Sequence, residues 1–193
     1  MTEASSFRTR RDHFDALFAG DPDPWNYACD ASELKKRDAV LHALGPGRVS
    51  HALELGCANG VQTQALARRV TRLDAVDGSD AALDRARARL SAPNATLHRA
   101  ALPATPPRPG FRAVIASEIL YYLTANEIAD QLRLLRRSAA PGARLIAVQT
   151  VRRHRDFACD PKTVRAVLLR ILGPATACRT GRGWRLFVHR LHT

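Results

Sequence analysis

The sequence lacks the features that define membrane, secreted and zinc-binding proteins. No uncharged apolar run in its 193 residues approaches the length that spans a bilayer, which argues against an integral membrane protein. The N-terminal stretch MTEASSFRTRRDHFD has no apolar segment behind its charges, so it does not resemble a secretory signal and we expect a cytoplasmic protein. The four cysteines form no C-x-x-C pair, and we therefore expect no metal site.

Acidic residues are scarce in the last third of the chain. Residues 1–132 hold 16 Lys or Arg and 16 Asp or Glu, whereas residues 133–193 hold 14 and 2, so the second segment accounts for the formal net charge of +12. Only 3 of the 30 basic residues are Lys, which is typical of a GC-rich genome and does not indicate selection for phosphate-binding Arg. Charge alone is weak evidence for a nucleic-acid partner.

What the sequence does contain is a regular alternation of strand and helix patterns. Strands are predicted at residues 49–55, 72–77, 95–99, 111–116 and 144–150. Helices are predicted at 61–70, 80–90, 124–135 and 161–172, with Pro141-Gly142 stopping the third. Residues 176–180 and 184–191 are predicted as a hairpin with a three-residue loop. The pattern predicts a doubly wound α/β fold with a mostly parallel seven-stranded sheet and a C-terminal antiparallel hairpin.

A helical segment, residues 1–45, precedes a predicted core at 46–193, and the whole of 1–193 is interpreted as a single domain. The D-P-D-P run at 21–24 interrupts the helical pattern, which resumes near Ser32 and ends at the G-P-G of 45–47. Such a broken segment can fold over a ligand as a lid, with Trp25 and Tyr27 excluding water. The alternative is that both aromatics anchor the core.

A glycine-rich loop, ELGCANG at 54–60, follows the first strand. Its G-x-x-x-G spacing differs from the G-x-G-x-x-G of a dinucleotide site, which argues against a nicotinamide cofactor. Glu54 is expected to accept hydrogen bonds from loop amides or from a ligand ammonium. Asp77 ends the second strand, 21 residues after Gly56, where a carboxylate can hold both ribose hydroxyls. The alternative is that Asp77 or Ser79 only caps the next helix.

The segments ALELGCANG and DAVDGSD resemble the cofactor motifs of class I S-adenosylmethionine-dependent methyltransferases, over roughly residues 49–150. The strings FDALFAGDPDPWNY, ELKK at 33–36 and SEILYYL at 117–123 are similar to the nodulation protein S (NodS)-like group, whose named member N-methylates an amino sugar of a chitin oligosaccharide signal. The resemblance implies a Rossmann-like methyltransferase sheet with an N-terminal helical lid. It also implies S-adenosyl-L-methionine as cofactor and S-adenosyl-L-homocysteine as product.

The candidate cofactor residues lie in these motifs, after the third and fourth strands, and in the N-terminal segment. They are Glu54, Gly56, Cys57, Ala58, Asn59, Gly60, Asp77, Gly78, Ser79, Ala101, Leu102, Ser117, Glu118, Trp25 and Lys36. The resemblance implies that the first loop lines the methionine part, that Asp77 holds the ribose and that Gly78 and Ser79 lie beside the adenine. Many relatives place an acid after the third strand where this chain has Ala100-Ala101, so the residue that reads the adenine is left open.

Candidate residues for catalysis and acceptor binding follow the fourth and fifth strands. The resemblance implies that Glu118 lies beside the transferable methyl, and the alternative is that it caps a turn. His154 is a candidate general base, and the alternative is an exposed basic loop. Tyr122 is a third catalytic candidate. The candidate substrate-binding residues are Tyr27, Tyr121, Arg152 and Arg153.

The sequence therefore predicts a methyltransferase that transfers a methyl group to N or O of a small molecule, with a sugar or amino-sugar metabolite favoured by the resemblance. Part of the basic excess favours an acceptor with anionic groups. The alternatives are an RNA methyltransferase, which the lack of an N-P-P-Y-type base-flipping signature disfavours, and a non-catalytic cofactor-binding protein. No membrane partner is expected, and the oligomeric state is left open, with a homodimer as one alternative.

Overall fold

The computed structural model describes residues 3–191, in which helices and strands alternate from the first strand onward. The helices are α1 (Glu3–Gly20), α2 (Ala31–Ala43), α3 (Val61–Ala67), α4 (Asp80–Arg89), α5 (Ala125–Ser138) and α6 (Pro161–Leu172). The strands are β1 (Val49–Leu55), β2 (Val70–Asp77), β3 (Ala95–Arg99), β4 (Phe111–Ser117), β5 (Ala139–Thr150), β6 (Ala177–Gly181) and β7 (Trp184–Arg190). The outermost residues of the predicted 1–45 and 46–193 segments lie outside the described range.

The seven strands form one sheet in the order β3-β2-β1-β4-β5-β7-β6. The first five strands pair in parallel, and β7 runs antiparallel to both β5 and β6. The predicted doubly wound sheet with a C-terminal hairpin is therefore confirmed. Because the strand order reverses between β1 and β4, the crevice beyond their carboxyl ends is where this class of sheet binds ligands.

Apolar side chains cover both faces of the sheet. One core cluster includes Leu132 of α5 and Leu168 of α6, and the other includes Val40 of α2 and Leu66 of α3. All four side chains are at most 1% exposed, so each helix buries one apolar stripe against the strands. Among residues 3–191, no helix combines the length and the apolar character that a membrane span requires.

Several boundaries differ from those predicted. The helix predicted to reach residue 70 ends at Ala67, and residue 70 already belongs to β2. Pro141 and Gly142 lie inside β5, because the pairing of β5 with β4 shifts register there and Gly142 adopts a φ of +77°. The hairpin loop has two residues, since Gly181 pairs directly with Trp184.

Helix α1 lies over the loops that follow β2 and β4. Oδ1 of Asp15 accepts hydrogen bonds from Oγ of Ser79 at 2.6 Å and from the backbone amide of residue 81 at 3.2 Å. Arg10 pairs with Glu127 at 2.6 Å and donates to the carbonyl oxygen of Tyr122. These contacts place the N-terminal segment at the carboxyl ends of the strands.

Candidate active site

Three adjoining cavities open at the carboxyl ends of β1, β2 and β4. The loop cavity is lined by Gly56, Ala58, Asn59, Ser117 and Glu118, among others. The α4 cavity is lined by residues that include Asp77, Gly78, Ser79, Ala101, Leu102 and Tyr122. The outer groove is lined by residues that include Trp25, Tyr27, Tyr121, Arg152, Arg153 and His154. Gly56 lines the first two cavities and Glu118 lines the first and third, so the three adjoin one another, and we call the three together the cleft.

Two glycines give the glycine-rich loop a backbone conformation that residues with a side chain rarely adopt. Gly56 has a φ of +70°, and a Cβ there would lie 2.8 Å from Cδ1 of Ile119. Gly60 has a φ of +78°, and a Cβ there would lie 3.0 Å from Cα of Ala86 on α4. Both positions therefore exclude a side chain for conformational and steric reasons together. Ala58 also has a positive φ, 49°, which is unusual for a residue with a side chain.

Glu54 is almost completely buried at the end of β1, with 1% of its surface exposed. Its carboxylate accepts hydrogen bonds from Nε2 of Gln62 at 3.0 Å and from Oγ1 of Thr63 at 2.7 Å. These partners are side chains of the first turn of α3, rather than the loop amides that we expected. Burial raises the pKa of Glu54 to about 7, despite these two hydrogen bonds. Glu54 is therefore only partly ionised near neutral pH, and the ammonium group of a bound ligand would favour its fully ionised form.

Asp77 lines the α4 cavity at the end of β2. Its two carboxylate oxygens accept hydrogen bonds from the amide of Ala58 at 2.8 Å and from the amide of Ser79 at 2.9 Å. Ser79, and not Asp77, caps α4, because its Oγ accepts from the amide of Ala82 at 3.1 Å. Burial raises the pKa of Asp77, against the effect of the backbone amides. Asp77 thus fixes the glycine-rich loop to β2 and borders the cavity.

Asn59 joins the glycine-rich loop to the N-terminal segment. Its Nδ2 donates to the carbonyl oxygen of Pro22 at 2.9 Å and to Oδ1 of Asp23 at 3.0 Å. The residue is 1% exposed, and its Oδ1 has no hydrogen-bond partner within the described part of the chain. Asn59 therefore lines the loop cavity with one buried oxygen that has no partner among the described residues.

Three candidate cofactor residues, Cys57, Gly60 and Trp25, do not line the two inner cavities. Cys57 packs into a core cluster with Ala75 and Leu83, and burial raises the pKa of its thiol well above the usual value. Gly60 faces Ala86 on α4. Trp25 lines the outer groove, where its ring lies 5.6 Å from those of Phe18 and Tyr27.

A chain of charges connects α2 to the end of β4. Nζ of Lys36 lies 2.9 Å from Oε1 of Glu118 and 2.5 Å from Oε1 of Glu33. Oε2 of Glu118 accepts from the amide of Thr150 at 2.7 Å, and Glu118 itself has a φ of +55°. Burial opposes the charge on Lys36, but Glu118 and Glu33 outweigh it and raise the pKa of Lys36. Lys36, a candidate cofactor residue, is thus paired in the structure with two carboxylates of this chain.

Aromatic side chains form one wall of the outer groove. Tyr121 stacks on Phe157 with ring centroids 3.8 Å apart, and Tyr122 lies 5.0 Å from Phe14 of α1. Burial, followed by the nearby charge of Glu118, raises the pKa of Tyr122 to about 12. Its hydroxyl is therefore protonated at neutral pH and can donate a hydrogen bond, but it is a poor general base.

Basic side chains form the exposed rim of the same groove. Arg152, Arg153 and His154 line it, and Nδ1 of His154 lies 3.1 Å from Oδ2 of Asp156. The side chain of His154 is 63% exposed, which places it at the entrance rather than beside Glu118. Over the residues that the structure describes, no group of three or more His, Cys, Asp or Glu side chains is arranged to hold a metal ion.

Sequence patterns did not indicate a role for several residues at or beside this site, among them Arg10, Asp15, Phe157 and Glu33. Arg10 and Asp15 of α1 reach partners more than sixty positions away, and no local pattern indicates such contacts. Phe157 lies in a loop without periodicity. Glu33 had a usable signal, because Asp30 caps α2 and Lys36 follows one turn later on the same helix face.

Known proteins resemble this chain in both sequence and fold. Residues 52–142 match the model of a methyltransferase domain family. Nodulation protein S from Rhizobium tropici is 32% identical over 129 residues, which cover 64% of this chain and 53% of that protein. An uncharacterised methyltransferase from Mycobacterium tuberculosis is 34% identical over 115 residues, covering 59% of this chain and 57% of its own length. The chain thus spans about half the length of these curated relatives.

Solved structures extend this likeness to most of the chain. The N-methyltransferase NodS from Bradyrhizobium japonicum, in complex with S-adenosylhomocysteine, superposes with a TM-score of 0.79 at 24% identity. The match covers 93% of this chain and 97% of that one. The chain therefore resembles methyltransferases in sequence over residues 52–142 and shares the fold of the solved NodS methyltransferase. Among the curated relatives it resembles nodulation protein S, as the three sequence strings predicted.

Proposed function

We propose that the protein is an S-adenosylmethionine-dependent methyltransferase that acts on N or O of a small molecule, with an amine nitrogen favoured. The observation that carries the proposal is the group of three adjoining cavities, in which Gly56 lines both inner cavities and Glu118 lines the loop cavity and the outer groove. When bound, the cofactor supplies an electrophilic methyl group attached to a sulfonium sulfur. Loss of that methyl group leaves neutral S-adenosylhomocysteine.

The residues around the two inner cavities fit this cofactor. Gly56 lines both inner cavities, and its backbone conformation together with Ile119 excludes a side chain at that position. The loop from Gly56 to Gly60, with Glu54 and the unpaired Oδ1 of Asn59 nearby, would hold the amino-acid end. Asp77 would accept the ribose hydroxyls, and Gly78, Ser79, Ala101 and Leu102 would surround the adenine.

The chain's own contribution is positioning and proton removal, because the methyl donor is already activated. Glu118 is held by Lys36 and by the amide of Thr150, so its carboxylate is fixed at the junction between cofactor and acceptor. Tyr121 and Tyr122 would exclude water from that junction and pack against the acceptor.

The acceptor that we propose is a sugar or amino-sugar metabolite that carries an anionic group. The resemblance to NodS supports an amine as the acceptor group, because the solved NodS from Bradyrhizobium japonicum is described as an N-methyltransferase. Arg152 and Arg153 at the exposed rim support an anionic substituent such as a phosphate or carboxylate. RNA is the second candidate, because the same rim could contact a phosphate backbone.

A panel of four sugars tests the acceptor class. Labelled S-adenosylmethionine would be incubated with glucosamine 6-phosphate, glucosamine, glucose 6-phosphate and glucose, with bulk RNA as a fifth acceptor. We expect the highest kcat/KM with glucosamine 6-phosphate, about tenfold or more above glucosamine, which corresponds to one charge-assisted hydrogen bond. Methylation of RNA alone would favour the second candidate, and no methylation with intact cofactor binding would favour a non-catalytic protein.

Paired variants connect that preference to the rim. Arg152→Gln with Arg153→Gln should abolish the preference for the phosphorylated sugar. Arg68→Gln with Arg170→Gln removes the same charge at exposed positions that line none of the three cavities, and should leave the preference unchanged. If both pairs behave alike, the basic rim does not select the acceptor.

A further inference from the structure

Glu33 lies where the loop cavity opens into the outer groove. It lines both of these spaces, and its side chain is 19% exposed. Its Oε1 pairs with Nζ of Lys36, whereas its Oε2 has no hydrogen bond within the described residues. One carboxylate oxygen at this junction is therefore free to meet a molecule that enters from the groove.

Unlike Glu33, Glu118 has a hydrogen bond at each of its two carboxylate oxygens. Its Oε1 accepts from Nζ of Lys36 at 2.9 Å, and its Oε2 accepts from the amide of Thr150 at 2.7 Å. Its side chain is only 11% exposed. Both oxygens of this buried carboxylate are thus already bonded within the chain, so Glu118 is less open to an incoming acceptor than Glu33 is.

We propose that Glu33 is the catalytic residue that receives the ammonium group of the acceptor and takes its proton before methyl transfer. The proposal rests on the proposed function and assigns the proton acceptor within that site. Lys36, which also pairs with Glu118, holds Oε1 of Glu33 in place.

The step balances without a further reactant. A proton passes from the acceptor's ammonium nitrogen to Oε2 of Glu33 and leaves a lone pair on that nitrogen. The lone pair forms the new N–C bond as the S–CH3 bond breaks, and the electrons of the broken bond remain on sulfur. Glu33 then returns its proton to water through the open groove.

The surroundings of Glu33 favour an ammonium over a hydroxyl. A protonated alkyl amine has a pKa of about 10.4, whereas a hydroxyl resembles water at about 15.7, so a carboxylate can deprotonate only the former at useful rates. Burial raises the pKa of Glu33, with Glu118 and Asp30 adding to the effect and Lys36 opposing it. The ring of Tyr27, which lines the same two spaces, offers a face on which a cation can pack.

Glu33→Gln keeps the size of the side chain and removes its charge, and Asp38→Asn is a matched control on the same helix. Asp38 is exposed and lines none of the three cavities. The first readout is binding without turnover, measured as the ratio of the dissociation constants of glucose 6-phosphate and glucosamine 6-phosphate with S-adenosylhomocysteine present. We expect a ratio of about ten or more for the parent and for Asp38→Asn, and a ratio near one for Glu33→Gln.

The second readout is turnover with glucosamine 6-phosphate. Loss of a general base should lower kcat of Glu33→Gln about 100-fold or more, while its affinity for S-adenosylmethionine stays within about twofold of the parent. A Glu33→Gln enzyme that keeps both the binding preference and kcat overturns the role of Glu33, although the parent is then still a methyltransferase. A parent that binds the cofactor and methylates no amine refutes the proposed function itself.

Discussion

Replacing Gly56 with alanine tests how the cleft is built. Gly56 has a φ of +70°, a conformation that costs an L-residue about 1–2 kcal/mol. The added Cβ would also lie 2.8 Å from Cδ1 and Cγ1 of Ile119, and such overpacking costs about 1–3 kcal/mol. We therefore expect Gly56→Ala to lower the free energy of unfolding by about 2–5 kcal/mol.

Gly47→Ala is the matched control for the conformational part of that cost. Gly47 has a φ of +78°, and a Cβ there would meet no atom within 4 Å. It precedes β1, at the opposite end of the strand from the glycine-rich loop. We expect this variant to lose only about 1–2 kcal/mol, the cost of the backbone conformation alone.

The two variants should differ more sharply in cofactor binding. Relief of the collision with Ile119 moves the loop that joins the two inner cavities, so the Kd of Gly56→Ala for S-adenosylmethionine should rise about tenfold or more, or about 1.4 kcal/mol. The Kd of Gly47→Ala should be unchanged. Urea denaturation gives the stabilities and titration calorimetry gives the affinities. Equal stability losses together with equal affinities would refute the account of the loop.

Three further changes test the buried carboxylates and the docking of α1. The pKa of Glu54 is raised to about 7 in the folded chain, against an ordinary value of 4.5. As the pH rises from 4.5 to 7, the parent should therefore lose about 3 kcal/mol of its free energy of unfolding relative to Glu54→Gln. Urea denaturation without cofactor at several pH values measures this difference. Asp77→Asn places an amide group against one of two backbone donors and should raise the Kd for S-adenosylmethionine about tenfold or more by calorimetry, whereas Asp84→Asn should not. Asp15→Ala removes the hydrogen bonds from Ser79 and from the amide of residue 81. Hydrogen exchange of α1 should then accelerate about tenfold, while exchange of the sheet stays unchanged. Equal acceleration in α1 and in the sheet would contradict this docking of α1.

The fold was predictable because local pattern decides it. Buried parallel strands form apolar runs, and the helices between them carry capping residues such as Thr124 and Asp160, both of which cap helices in the structure. The errors fall where a neighbouring strand decides the conformation. Pro141 and Gly142 look like a helix stop, yet they lie inside β5 because the register of β4 shifts opposite them.

The candidate site was predictable only in part, for the same reason. Gly56 and Asp77 belong to contiguous motifs, and both line the α4 cavity. The contact of Asp15 with Ser79 and that of Lys36 with Glu118 depend on where α1 and α2 rest on the sheet, which no short pattern encodes. The sequence likewise indicated Glu118 as a reactive carboxylate, but only the structure accounts for both of its oxygens.

The central claim is that the two inner cavities hold S-adenosylmethionine. Titration calorimetry of the chain with S-adenosylmethionine, and with NAD⁺ in a parallel titration, tests it directly. The account predicts one S-adenosylmethionine per chain and no measurable heat of binding with NAD⁺. No binding of S-adenosylmethionine, or binding of NAD⁺ in its place, would contradict the account.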